Sequence, residues 1–270
     1  MMRRALCFTA IFAMACVAAG LARSQTPEPG GSADTWCGDG SNEGGASWRE
    51  SREATIGAAN PLDIDAGRNG GIRVRGWDRG DVLVRAQIVG CAHTEADARR
   101  LVSGVQIQTA GPVRADGPDA APGEHWSVSF EVQVPRTALL KLNTRNGGIS
   151  IDDFRGTAEF RAQNGGVSLS NVSGDIRGGT TNGGLHIDLR GDRWDGVGLD
   201  VETRNGGIQL TVPEHYSAEL ETGTTRGRVR FDFPLTVQGT IGQHITTTLG
   251  AGGAKVRAIT TNGGVSIHRS

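Results

Sequence analysis

Asn-Gly-Gly recurs at Asn69, Asn146, Asn164, Asn182, Asn205 and Asn262, each time followed by a segment alternating apolar and polar residues. Within the main run the triplets stand 18, 18 and 23 residues apart, and a degenerate copy, "TTRGRVRF", follows 21 residues later. A further glycine divides each unit: Gly156 in "DFRG", Gly174 in "VSGD", Gly191 in "LRGD". Each unit therefore holds two short strands and two turns, as expected of an all-β chain.

Asn tolerates a left-handed backbone through local side-chain bonding, and Gly adopts it without steric cost, so Asn-Gly predicts tight turns between strands. A β-branched residue in place of a turn glycine is then expected to cost about 1–2 kcal/mol per strained position. Apolar residues keep the same register: Ile149, Ile151 and Phe154; Val167, Leu169 and Val172; Leu185, Ile187 and Leu189; Ile208, Leu210 and Val212. One unit alone buries too little to stay folded, which is why such units come in series. A meander of hairpins and a flattened β-solenoid both need frequent turns. Recurrence of turns and apolar positions at 18, the spacing stacked coils require, favours a β-solenoid or β-helix-like stack.

Upstream, "GIRVRGWDRGDVLVRAQIVG" alternates with period two, placing Ile72 and Val74, then Val82, Val84, Ala86 and Ile88, on single faces around a Gly76–Gly80 turn. "WSVSFEVQV" sends Trp126, Val128, Phe130, Val132 and Val134 one way. One short helix is expected near 95–103, with Thr94 as N-cap, Asp97 three residues on and Gly104 just past its end.

"LNTRNGGISI", "FRAQNGGVSLSNVSGDI", "TTNGGLHIDL" and "ITTNGGVSI", with the upstream strands, the helix and "VQVPRTALLKLNTRNGG", resemble the exported adhesin-type, or toast-rack, domains of bacterial envelope proteins over residues 52–270. The resemblance implies an all-β, solenoid-like domain with an envelope role and no established catalytic residues. It also implies an alternative role as a periplasmic envelope-stress or signalling accessory.

The expected organisation is a signal peptide over 1–24, a flexible polar tail over 25–51, an N-terminal β region with the helix over 52–139, and the continuous Asn-Gly-Gly region over 140–270. The first segment joins Arg3 and Arg4 to an apolar run from Ala5 to Ala22, with Ala22-Arg23-Ser24 as a cleavage site. No membrane span is expected to remain after cleavage; lipoprotein anchoring at Cys16 is the alternative. Export leaves Cys37 and Cys91, whose spacing fits no metal motif and predicts one disulfide. The chain is thus expected in the periplasm or at the cell surface. A net charge of −1 gives no pull towards nucleic acid.

No cofactor is expected. The six histidines, His93, His125, His186, His215, His244 and His268, lack metal spacing, and no helix follows the Gly-rich turns as a nucleotide site requires. Asp152, Asp153, Asp175 and Asp188 form the best case for a polysaccharide-active enzyme, but neighbours on a strand point to opposite faces. Arg226, Arg228 and Arg230 alternate with Val229 and Phe231, so one strand face is expected to carry three guanidinium groups, with Arg73 and Arg75 a smaller pair. Such a stripe suits an anionic glycan or lipopolysaccharide, and equally a solvated face that deters edge aggregation. Arg-Gly-Asp at 79–81 and 190–192 reads as turn composition. The 23-residue unit gains "RGDRWDGVG", placing Trp194 on a loop as a ligand contact or folded back over the core. The expected function is non-catalytic binding of an unidentified envelope polymer or protein.

Overall fold

A computed structural model describes residues 22–24, 45–233 and 243–270. Two long sheets of mostly parallel strands face each other across one continuous core. Successive units stack in register: Ile149 pairs with Val167, Val167 with Leu185, Leu185 with Ile208 and Ile208 with Val265. The same holds in the second sheet, where Asn146, Asn164, Asn182, Asn205 and Asn262 align. The repeat is a flattened solenoid, and the meander alternative is set aside because consecutive strands from Leu139 to Phe231 lie in opposite sheets.

Inward positions form apolar rows. Leu140, Ala158, Ile176, Leu199 and Val256 make one row, and Ile151, Leu169, Ile187, Leu210 and Ile267 face it from the other sheet. Volume is balanced between rungs: the Phe160 ring fills the space that a side chain at the neighbouring Gly178 would need.

The order of coils differs from the order of the chain. Lys255–Asn262 and Val265–Arg269 slide between the coil Gly198–Asn205/Ile208–Val212 and the coil Ala218–Arg226/Val229–Phe231. The degenerate copy therefore ends the first sheet, with the three-residue strand Val229–Phe231 at its rim.

The strands Ile72–Trp77 and Asp81–Ala92 do not pair with each other, because His125–Pro135 lies between them. Pairing begins earlier than Arg52: the strand Ala46–Gly57 runs antiparallel to Asp81–Ala92. Its polar sequence hid it, since it lies partly under the helix Glu95–Gly104 and buries Arg52. That guanidinium pairs with Glu50 at 2.7 Å and donates to the carbonyls of Val102, at 3.0 Å, and Val105, satisfying the helix C-terminus. Thr94 caps the other end, accepting from the Asp97 amide at 3.2 Å, and Gly104 is the last helical residue. Among the described residues no helix is long and apolar enough to cross a membrane. The predicted signal peptide lies outside the described residues except for Ala22–Ser24, a short strand paired with residues 51–53. Most of the predicted tail lies outside them as well.

Candidate ligand-binding face

The Asn-Gly-Gly triplets carry the chain from one sheet to the other, and their chemistry differs from a hairpin turn. None of the six asparagines has a positive φ. Their amides stack instead: Asn146 donates to Asn69 at 3.0 Å, Asn164 to Asn146 at 2.8 Å, Asn182 to Asn164 at 2.7 Å, Asn205 to Asn182 at 2.8 Å and Asn262 to Asn205 at 2.7 Å. The first glycine is required by packing. A Cβ on Gly165, Gly183 or Gly206 would overlap the first-glycine carbonyl of the rung before. Buried threonines cap three of the first-glycine carbonyls: Thr180 donates to Gly165 O at 2.7 Å, Thr203 to Gly183 O at 2.7 Å and Thr260 to Gly206 O at 2.8 Å.

The second glycines, Gly148, Gly166, Gly184, Gly207 and Gly264, line the floor of an open trough of about 1220 Å³ on the outside of the first sheet. Beside them runs an outward row set by strand register: Glu131, Arg73, Ser150, Ser168, His186, Gln209, Ser266 and Arg230. At one end the charges are paired, Arg85 lying 2.6 Å from Glu53 and 3.5 Å from Glu131. Ser150 donates to Asp152 at 3.0 Å. Ser168, His186, Gln209 and Ser266 have no side-chain hydrogen-bond partner among the described residues.

The outer face of the second sheet is filled differently. Its register row reads Asp63, Lys141, Glu159, Arg177, Asp200, Arg257 and Glu221, so every neighbour has the opposite sign. Arg257 lies 2.5 Å from Asp200 and 3.5 Å from Glu221. Cross-strand pairing is realised at one end of this row, where Lys255 also lies 3.1 Å from Glu221, while Arg177 pairs with Asp175 of its own strand at 2.8 Å.

The predicted arginine stripe does not lie on one strand face. Arg226 ends a second-sheet strand, Arg228 follows Gly227 in the crossing, and only Arg230 lies in the first sheet. The segment is a degenerate Asn-Gly-Gly crossing: Arg226 aligns with Asn262, and Gly227 keeps the packing constraint of a first glycine. All three arginines are exposed at the open end of the stack. Charges at a sheet rim discourage strand addition.

Trp194 folds back and is 4% exposed, with its indole N–H 3.0 Å from Gly174 O, so the contact role expected for it is withdrawn. The extra residues wrap the opposite edge, where the Ser217 amide donates to Asp192 O at 2.7 Å. An indole that plugs a corner of the stack buries more area than one on a loop tip. Cys91 is disulfide-bonded and buried, while Cys37 lies outside the described residues.

Of the carboxylates considered for catalysis, Asp153 is held below the usual range by the Asn171 amide, 2.7 Å away, and then by Arg75 and Arg136. That environment suits a structural anion at a left-handed corner, φ 56°, and opposes a proton donor. Burial, with Asp192 nearby, pushes the Tyr216 hydroxyl well above its ordinary range, so it stays protonated. No group of three or more potential metal ligands occurs among the described residues.

A family model for Toastrack DUF4097 domains matches residues 103–268, more than half of the chain. The chain belongs to this family. The toast-rack match takes in the helix C-terminus and every triplet from Asn146 onward. No curated protein matches the sequence. Among solved structures, a candidate cell-adhesion protein from Clostridium sporogenes aligns at 10% identity over 83% of this chain and 100% of its own, TM-score 0.43. A candidate lipid-binding protein from Parabacteroides distasonis aligns at 11% over 82% and 96%, TM-score 0.35. A candidate adhesin from Bacteroides fragilis aligns at 12% over 83% and 97%, TM-score 0.33. At these distances the likeness says nothing of ligand or activity.

The asparagine and glycine rows were visible as a motif, and their role as ladder and packing surface was not. The outward row of the trough was missed. Each of its members is an ordinary polar residue, and only the stacking makes them a surface.

Proposed function

We propose that this toast-rack protein is an exported, non-catalytic binding protein of the cell envelope, and that its trough holds an extended envelope polymer. The observation that carries this reading is the unpartnered run Ser168, His186, Gln209 and Ser266 beside a side-chain-free floor. The outer face of the second sheet instead carries charges of alternating sign, with Arg257 paired to Asp200 and Glu221. Four adjacent strands spaced about 4.8 Å apart present donors and acceptors at a regular interval, as an extended chain lying across them requires. Arg228 and Arg230 stand where that chain leaves the trough. The basic, apolar N-terminal segment supports export, and a Cys37–Cys91 bridge would tie the N-terminal tail to the first sheet beside the helix.

Co-sedimentation with purified cell-wall and outer-membrane fractions tests the reading. The protein is expected to pellet with one of them, and Ser168→Trp, which fills the trough from a half-buried outward position, is expected to abolish pelleting with the fold intact. Failure of the parent protein to pellet with either fraction would overturn polymer binding. Titration of the unreduced, unfolded protein after export is expected to find no free thiol.

A further inference from the structure

The crossing edge that carries the asparagine ladder has a charge pattern of its own. Its five-residue segments, 67–71, 144–148, 162–166, 180–184, 203–207, 260–264 and 224–228, contain no Asp or Glu. They contain five arginines, Arg68, Arg145, Arg204, Arg226 and Arg228, all exposed and none in an ion pair among the described residues. At the opposite edge two arginines are neutralised, Arg136 lying 2.7 Å from Asp78 and Arg190 2.6 Å from Asp188, while Arg155 is exposed without an ion pair among the described residues. The chain as a whole carries a net charge of only −1, so the basic strip is a local feature.

The rest of the edge adds hydrogen-bond donors. The backbone N–H groups of Gly148, Gly166, Gly184, Gly207 and Gly264 find no acceptor among the described residues. The adjacent outward carboxylates are Asp65 and Glu202, one outward position back in the second sheet, and Glu131 in the first; Asp65 is engaged by the Gly67 amide at 2.8 Å and Glu131 lies 3.5 Å from Arg85. The ladder crosses seven rungs, a span of about 29 Å at a strand spacing of about 4.8 Å. Arginines stand at its two ends and at Arg204 between them.

We infer that the asparagine-ladder edge is a binding strip for a polyanionic glycan, with Arg68, Arg145 and Arg204 joining Arg226 and Arg228 as contacts. The inference rests on the trough reading and names the chemistry of its polymer. The second glycines both floor the trough and border this edge, so the arginine strip adjoins the trough without lining it, and a glycan wide enough to overhang the floor meets both. Guanidinium forks suit carboxylate and phosphate oxygens. A glycan fits better than a nucleic acid because the ladder edge carries no aromatic side chain on which a base could stack. Nor does this edge expose an apolar patch for a lipid tail.

The test uses deproteinised cell-wall polysaccharide in three forms: untreated, with carboxylates amidated, and with phosphates removed. The protein is expected to bind the untreated form with an affinity that falls as salt rises, and to lose about tenfold or more on at least one neutralised form. Arg68→Ser/Arg145→Ser/Arg204→Ser is expected to lose a similar factor and flatten the salt dependence. The triple lysine variant, which keeps the charge, is expected to retain most of the binding. Arg136→Ser/Arg190→Ser at the opposite edge is expected to bind as the parent does. These side chains are exposed, and matched melting temperatures establish that each variant is folded.

Equal binding to all three forms, parent-like binding by the triple serine variant, or equal retention of duplex DNA would overturn the inference and leave the trough reading standing. Absence of binding to every form by the parent protein would overturn both.

Discussion

At the Asn-Gly-Gly edge the chain crosses between sheets with the same residues at rung after rung, whereas the opposite edge solves each crossing anew. Residues 155–156 and 173–174 are short corners, and 189–197 is a long wrap closed by Trp194. The regular edge is held by like contacting like: amide on amide, glycine against glycine carbonyl. The irregular edge is held by particular side chains, among them Arg136 bridging Asp78 and the Asp153 carbonyl, and Asn171 bonded to Asp153. A repeated contact limits variation, since any change must suit the rungs above and below. The long insertion at 189–197 accordingly lies at the other edge, and the Asn-Gly-Gly edge stays uniform.

The largest expected effect breaks the irregular edge. Trp194→Ala removes a buried indole and its bond to Gly174 O, and is expected to cost about 3–5 kcal/mol in denaturant unfolding. Binding at the trough, on the far side of the coil, is expected to survive wherever the variant is folded. Loss of binding with unchanged stability would restore Trp194 as a contact.

Next in size is a contrast within the regular edge. Gly165→Ala drives a methyl into the Gly147 carbonyl and is expected to cost about 3 kcal/mol. Its neighbour Gly166→Ala, whose Cβ would stand 3.4 Å from Gly184 O, is expected to cost less than about 1 kcal/mol. Equal costs would return the triplet to the turn-conformation account.

Asn164→Ala removes two rungs of the amide ladder, the bonds to Asn146 and from Asn182. Because the ladder is exposed, the expected loss is about 1–2 kcal/mol, and Asn164→Asp is expected to be worse than Asn164→Ala. A carboxylate still accepts from Asn182 but cannot donate to Asn146, and it sets a charged oxygen against the Asn146 carbonyl oxygen, a repulsion that Ala does not create. If Asp and Ala prove equal in thermal unfolding, the ladder contributes little.

The solenoid and its inward rows were legible because strand alternation and coil length are both periodic, and each period was written out in residues such as Ile151, Leu169 and Ile187. What was not legible was which rung neighbours which. All rungs share one motif, so nothing local tells Asn262 to stack on Asn205 ahead of Arg226. For the same reason Arg226, Arg228 and Arg230 read as one strand, although Gly227 marks a crossing. The asparagines read as turn formers because a ladder joins residues a coil apart, and a single coil does not reveal it.

The smallest expected effect repairs the regular edge. At the position two before each ladder residue stand Thr144, Thr180, Thr203, Thr260 and Thr224, each buried and each donating to a glycine carbonyl of the neighbouring rung. The exceptions are Gly67 at the first rung and, inside the stack, Ala162, 5% exposed, between Thr144 and Thr180 in register. Its absent hydroxyl leaves Gly147 O without a donor, the one first-glycine carbonyl enclosed between two rungs that is so placed among the described residues. Ala162→Thr supplies that donor in a geometry its neighbours already use, and Thr also favours a strand over Ala. A gain of about 1 kcal/mol is expected in urea unfolding with the slope unchanged. In the Thr144→Ala background the same change is expected to gain as much, since each threonine serves its own carbonyl. A loss of stability would mean that Ala162 is set by packing around Phe160, and that the rungs of this edge are less equivalent than their hydrogen bonds make them.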